Sequence, residues 1–497
     1  MSQTDGIRFT PEIDLAGRRL GGMVLAATDE FFAPKERLLE PSAPVFDPDG
    51  FDDRGKLMDG WETRRRRSDG HDSATIRLGV AGVIHEVIVD TTHFRGNAPS
   101  SCWLEGCLTD GAPPDDQTLW FPVLQETPLS PHGRHAFEPQ DRVRVNHVRF
   151  CIAPDGGVAR LRLHGRPLPD LHELADRNGR LDLAAAINGG RAVGCSDEFF
   201  SSPHNLVTVG DARDMSDGWE TRRRRGPGED WAIIELATTA SLDRVELDTT
   251  HFKGNFPDRC IIEGLHAPGS EPQDLPQEGW FELAPARGMQ PHTRHLIDVD
   301  EAAPVSHIKV RVLPDGGLAR LRAFGTVTDE GWVRHGLAQI NATNPQRLEA
   351  HLLACCGSTA WAHEVAARRP FRDPDHLAAV ADEVWNRLSA DDHLEAFAAH
   401  PRIGERSTER WSSQEQAGAA SAEDATLQAL ADGNREYEER FDHVFLICAT
   451  GKTADEMLGA LRERMDNDPQ TERQVAAEEQ RQITRLRLDK LLREGRA

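Results

Sequence analysis

The sequence predicts a multidomain chain: two tandem β-sandwich or jelly-roll copies followed by an all-α helical domain. Three observations predict it. Motifs of the front half recur in the same order, strand-like alternation runs through both copies, and helical stripes replace it near the middle of the chain. The 497-residue length suits about three domains at roughly 100–200 residues each.

The first copy is read over residues 8–168 and the second over 175–327. "GGMVLAATDEFF" at 21–32 returns as "GGRAVGCSDEFF" at 189–200, and "MDGWETRRRR" at 58–67 returns as "SDGWETRRRR" at 216–225. "DTTHFRGN" at 90–97 returns as "DTTHFKGN" at 248–255, and "PHGRH" at 131–135 as "PHTRH" at 291–295. "PDGGVARLR" at 154–162 returns as "PDGGLARLR" at 314–322. A period this long is a duplicated domain, not a solenoid repeat. Val245 and Leu247 alternate with Arg244 and Glu246, and Ile308, Val310 and Val312 alternate with Lys309 and Arg311. Period-2 alternation sets one strand face on a core and one in water. The Pro-Asp-Gly-Gly that follows is a turn.

Residues 328–337 are read as a linker and 338–497 as the helical domain. Leu348, Leu352, Cys355 and Cys356 fall at i, i+4, i+7 and i+8, and Leu377, Val380, Val384 and Leu388 make a second stripe. His400 stands before Pro401, which pushes it out of helical geometry and onto a loop. Ser412 or Ser413 can cap a helix that begins near Glu415 and Gln416. Ile483, Arg487 and Leu491 share one stripe, and an arginine there is costly unless paired.

Composition narrows the function. The formal net charge of -24 disfavours nucleic acid as a partner, and no apolar run approaches the roughly 18 residues of a membrane span. No signal peptide is evident at the N-terminus. The eight cysteines are scattered without a paired CxxC, which fits a reducing cytoplasm. Gly451-Lys452-Thr453 lacks the upstream glycine of a phosphate loop. If "WETRRRR" is a strand, Arg64 and Arg66 face one way and Arg65 and Arg67 the other, so the four cannot enter one site.

The twice-present "DEFF", "DGWETRRRR" and "DTTHF(R/K)GN" resemble the allantoicase family over about residues 8–327. The resemblance implies two galactose-binding-like jelly rolls, an oligomeric assembly and hydrolysis of allantoate to (S)-ureidoglycolate and urea. Arginine's planar fork suits the allantoate carboxylate, and His with Asp or Glu suits water addition and urea departure. The candidates are Asp29, Glu30, Glu62, Asp90 and His93 with Asp197, Glu198, Glu220, Asp248 and His251. Arg64, Arg66, Arg222 and Arg224 are substrate-binding candidates. Which copy holds the working site stays open. The residue types also admit a divalent metal such as Mn, though no spacing requires one.

"LLACCGSTAWAHEVAARRPF", "HPRIGE", "SSQEQAG", "FLICATGK" and "ITRLRLDKLL", in this order, resemble the OHCU decarboxylase family over about 338–497. OHCU is 2-oxo-4-hydroxy-4-carboxy-5-ureidoimidazoline. The resemblance implies a cofactor-independent, all-helical enzyme that forms (S)-allantoin. It carries the catalytic histidine onto His400, the glutamate onto Glu415 and the arginine onto Arg487, with Pro401, Ser412, Gln416, Phe445, Leu446, Ile447, Cys448 and Ala449 lining the pocket. Together the two resemblances imply a bifunctional cytoplasmic enzyme of small ureides. An allantoinase is its pathway neighbour, with no stable contact expected. The alternative is a front half that only binds a ureide or mediates assembly.

Overall fold

The computed structural model describes residues 8–53, 55–300, 303–400 and 424–494. The chain divides into two compact units, Met1–Gly331 and Trp332–Ala497. The first unit holds two antiparallel β-sheet domains and the second is helical, the fold class expected from the sequence.

Each β domain is organised by one 19-residue strand, Asp72–Asp90 in the first repeat and Asp230–Asp248 in the second. Arg144–Ala153 runs antiparallel to the front of Asp72–Asp90, with Ile152 opposite Asp72. Arg134–Phe137 and Arg160–Pro167 run along its rear, both starting opposite Asp90. The register against Arg144–Ala153 jumps between Val145 and His147, so the long strand turns a corner between its halves. A short link joins Ala153 to Arg160, which brings both ends of the long strand to one edge of the sandwich. The second repeat repeats this plan, with Val312 opposite Asp230 and Arg320 opposite Asp248.

Trp61 and Trp219 are fully buried, as are Phe94 and Phe252. Trp61–Glu62 pairs with Gly157–Val158, and Trp219–Glu220 with Gly317–Leu318. The glycine of each pair lets the phenylalanine lie flat on the backbone. A Cβ at Gly157 or Gly317 would sit 1.9 Å from Phe94 or Phe252.

The repeats are tied by a crossed strand. Arg8–Phe9 pairs with Arg191–Cys195 of the second repeat, while Ile13–Asp14 pairs with Arg160–Pro167 of the first. Beside the crossing, His204 Nε2 lies 2.6 Å from the Pro11 carbonyl. Arg19 of the first repeat bonds Asn205 Oδ1 at 2.7 Å and pairs with Asp217 at 3.3 Å.

The helical unit contains α1 (Asp329–Ala342), α2 (Pro345–Cys356), α3 (Thr359–Ala367), α4 (Pro374–Trp385), α5 (Ala390–Ala398), α6 (Asp424–Phe441), α7 (Ala454–Arg464) and α8 (Pro469–Glu494). Their starts follow local chemistry. Asn344, Ser358, Asp373, Ser389 and Thr453 each accept a backbone N–H at a helix N-terminus. Residues 328–337, read as a linker, include the boundary between the two units at Gly331 and Trp332 and are mostly helical within α1. Gly336 serves close packing: a Cβ there would lie 1.8 Å from the Leu492 carbonyl oxygen of α8. The stripes from Leu348 to Cys356 and from Leu377 to Val384 are buried in one apolar cluster with Trp361, Phe397, Leu488 and Leu491.

Candidate active sites

In each β repeat, Asp29 and its counterpart Asp197 sit after a short strand at the gathered edge. The Asp29 carbonyl accepts the Trp61 indole N–H at 2.8 Å, and Asp197 accepts that of Trp219 at 2.9 Å. The Asp29 carboxylate takes the Arg64 N–H at 2.9 Å and Arg64 Nε at 2.7 Å, and Phe31 N–H at 3.1 Å. Burial works against its charge, but these donors and the Arg64 guanidinium prevail and hold its pKa below the ordinary value. Asp197 and Arg222 repeat the arrangement, with Arg222 N–H at 2.8 Å. Phe31 and Phe199 lie against the two guanidiniums.

The second paired arginine of each run is held further in. Arg66 N–H reaches Asp155 at 2.8 Å while Arg66 Nη1 reaches buried Asp72 at 2.7 Å. Arg224 repeats this with Asp315 and Asp230. So Arg64, Arg66, Arg222 and Arg224 are all engaged by carboxylates of their own repeat, and Arg65, Arg67, Arg223 and Arg225 are exposed. The run alternates as the strand argument required, although only Trp61–Glu62 and Trp219–Glu220 are paired as strand.

Glu62 receives the Asn97 amide at 2.6 Å, and burial raises its pKa while Asn97 works against that rise. Glu220 has the same partner in Asn255. Glu30 is bound by Lys35 through its backbone N–H and Nζ. Glu198 is half-buried, with Pro203 at the position of Lys35.

Asp90 and Asp248 accept the N–H two residues on, Thr92 at 2.8 Å and Thr250 at 2.7 Å. The histidines that follow are strained. His93 has φ 74° and His251 φ 73°, and their neighbours His132 and His292 have φ 54° and 51°. Among the described residues, Asp442 is the one other non-glycine residue with positive φ. His93 N–H donates to His132 Nδ1 at 2.9 Å, and His251 N–H to His292 Nδ1 at 2.8 Å. His251 Nε2 lies 2.9 Å from the Ala212 carbonyl, and His93 Nε2 3.3 Å from that of Pro44. A carbonyl partner places the proton on Nε2 and leaves Nδ1 with its lone pair. His132 and His292 were not among the sequence candidates. Their signal was the repetition of "PHGRH" and "PHTRH".

In the helical unit, His400 follows α5 and its N–H donates to Phe397 at 3.1 Å. Burial first, then the charge of Arg487, push its pKa down to about 3, with Gln480 opposing. It therefore stands as neutral imidazole near neutral pH. Arg487 is 5% exposed on α8 and its Nη1 lies 3.4 Å from the Ala354 carbonyl. Phe445, Leu446, Ile447, Cys448 and Ala449 are all buried. The rings of Phe397 and His443 stand 5.2 Å apart, which links the end of α5 to this stretch. Pro401, Ser412, Glu415 and Gln416 lie outside the described residues.

Among the described residues, no three His, Cys, Asp or Glu side chains converge to hold a metal ion. No helix among them is long and apolar enough to cross a membrane. None of the eight cysteines forms a disulfide, and all are buried.

Residues 13–168 and 181–328 match the allantoicase repeat family, and residues 341–489 match the OHCU decarboxylase family. A probable allantoicase of Pseudomonas fluorescens is 43% identical over 329 residues, 65% of this chain and 99% of that protein. The crystal structure of allantoicase from Saccharomyces cerevisiae is 34% identical, with a TM-score of 0.54, over 63% of this chain and 92% of that one. A solved OHCU decarboxylase in the presence of (S)-allantoin is 39% identical over 28% of this chain and 95% of that one, with a TM-score of 0.26.

Proposed function

The chain belongs to the allantoicase family through its two front repeats and carries an OHCU decarboxylase domain behind them, and from this we propose how its residues divide two reactions. The molecule is a bifunctional enzyme of ureide breakdown. One half hydrolyses allantoate to (S)-ureidoglycolate and urea, and the other decarboxylates OHCU to (S)-allantoin. The observation that carries this is the presence of both families, in separate segments of one chain. A front half that merely binds is not favoured, because the allantoicase match runs through both repeats.

For the hydrolase we place the chemistry at the gathered edge of a repeat. The lone pair on His93 or His251 Nδ1 takes a proton from the attacking water. Glu62, whose pKa burial raises, returns one to the departing urea nitrogen. Arg64 or Arg222, each already charged against an aspartate, offers its outer face to the allantoate carboxylate. For the decarboxylase, neutral His400 takes the proton of the 4-hydroxyl as carbon dioxide leaves C4, C4 becomes the carbonyl, and His400 returns the proton to C5, the carbon that carries the ureido group, while the ring nitrogen freed of its double bond is protonated from water. Arg487 steadies the charge that develops on ring oxygen, and Glu415 receives ureide N–H groups. Neither scheme routes a step through a cofactor. Urea release measured with and without Mn tests this for the hydrolase. Buried cysteines outside any disulfide suit a reducing cytoplasm, and a homo-oligomer fits the family.

The two reactions are not consecutive, since allantoin must be opened to allantoate between them, so the halves work independently. His400→Ala is expected to abolish allantoin formation and leave urea release from allantoate within about twofold. Loss of both activities in a folded His400→Ala protein is the result that overturns independence.

A further inference from the structure

Residues 444–449 belong to no helix or sheet, yet they run through the core of the helical unit. A buried backbone of this kind needs partners for its N–H and C=O groups. Before the turn at Ala449, the partners fall on even-numbered residues. Val444 O accepts from His443 Nδ1 at 3.0 Å, and Leu446 O from Arg464 Nη1 at 2.6 Å. Cys448 N–H donates to Glu479 Oε2 at 2.7 Å, and Cys448 O accepts from Lys452 Nζ at 2.7 Å. Both faces of the Cys448 residue are thus gripped by opposite charges. Arg464 is itself fixed by Glu472 at 2.6 Å, and Glu472 is fully buried with Tyr437 bonded to it.

Phe445 and Ile447 are 3% and 6% exposed, and among the described residues their N–H and C=O groups have no hydrogen-bond partner. Buried peptide groups seldom stay unpaired. A row of open donors and acceptors complements a molecule that carries N–H and C=O side by side, as a ureide does along its carbamoyl edge.

We propose that Glu479, assisted by Lys452, is a positioning residue of the decarboxylase: by pinning the Cys448 peptide it presents the open groups of Phe445 and Ile447 to the ureide. The proposal rests on the reading of Phe445–Ala449 as pocket lining. Glu479 touches the backbone, not the substrate, so its removal loosens binding more than it slows chemistry.

The test uses the full chain. Decarboxylation of freshly generated OHCU gives kcat and KM, and calorimetry gives the affinity for (S)-allantoin. Glu479→Leu is expected to raise KM and weaken (S)-allantoin binding about tenfold, with kcat within about threefold. Glu479→Gln restores most of the binding, because its carbonyl oxygen still accepts the Cys448 N–H. Lys452→Met shows the same split more weakly, and it keeps the test open if leucine at 479 prevents folding. Wild-type KM in a folded Glu479→Leu or Lys452→Met protein overturns the proposal. So does a loss confined to kcat, or a Gln variant as impaired as Leu. His400→Ala run in parallel separates the two readings. If it stays active, the site reading falls. If it is dead while Glu479→Leu binds normally, only the positioning role falls.

Discussion

At the residue scale, the arginine runs show how far local reasoning reaches. Alternation separates Arg64 and Arg66 from Arg65 and Arg67, and the sequence carries that much. It does not carry the partners, because Asp29, Asp72 and Asp155 come from distant parts of the chain. The Asp72 side chain is 2% exposed, so losing Arg66 strands a buried carboxylate. Arg66→Ala is expected to cost about 3 kcal/mol in denaturant melts, against less than about 0.5 kcal/mol for exposed Arg65→Ala. His132 and His292 were illegible as site residues for a related reason: positive φ is imposed by surrounding structure, and nothing in a histidine codon announces it. His204 gives a pH signature. Burial outweighs its bond to Pro11 and lowers its pKa from 6.5 to about 4. Above pH ~6.5 folded and unfolded chains are both neutral there and stability is flat. Between pH ~6.5 and ~4 only the unfolded chain gains the proton, so stability falls with pH, by about 2 kcal/mol for a half-buried group. His204→Gln should flatten that slope in melts of the full chain.

At the element scale, helices were more legible than their limits. The stripes at Leu348–Cys356 and Leu377–Val384 are buried as their spacing requires. Within 328–337 the use of Gly336 for close approach to α8 was not legible, because it depends on a helix far along the chain. The strands followed alternation, but the corner in Asp72–Asp90 that gathers the candidate residues follows from tertiary pairing alone. Gly157 tests the packing of that edge. Gly157→Ala is expected to lose about 3 kcal/mol or more, since the Phe94 ring has nowhere to go. It should reduce urea release while leaving allantoin formation intact. Equal loss of both activities is the contrary result.

At the scale of the whole molecule, duplication and fusion were plain in the sequence, while the pairing of Arg8–Phe9 with the second repeat was not. Arg8–Phe9 carries no motif that marks it for the second repeat rather than the first. This crossing sets an order of events during synthesis. Arg8–Phe9 is made well before its partner Arg191–Cys195 and waits for it. At roughly 5–20 residues per second that is a delay of about 10 to 40 s. Through that interval Arg8–Phe9 lacks its β partner. The two repeats close as a pair only when translation has moved well into the second, so a ribosome stalled before residue 195 holds a sandwich that cannot yet be latched.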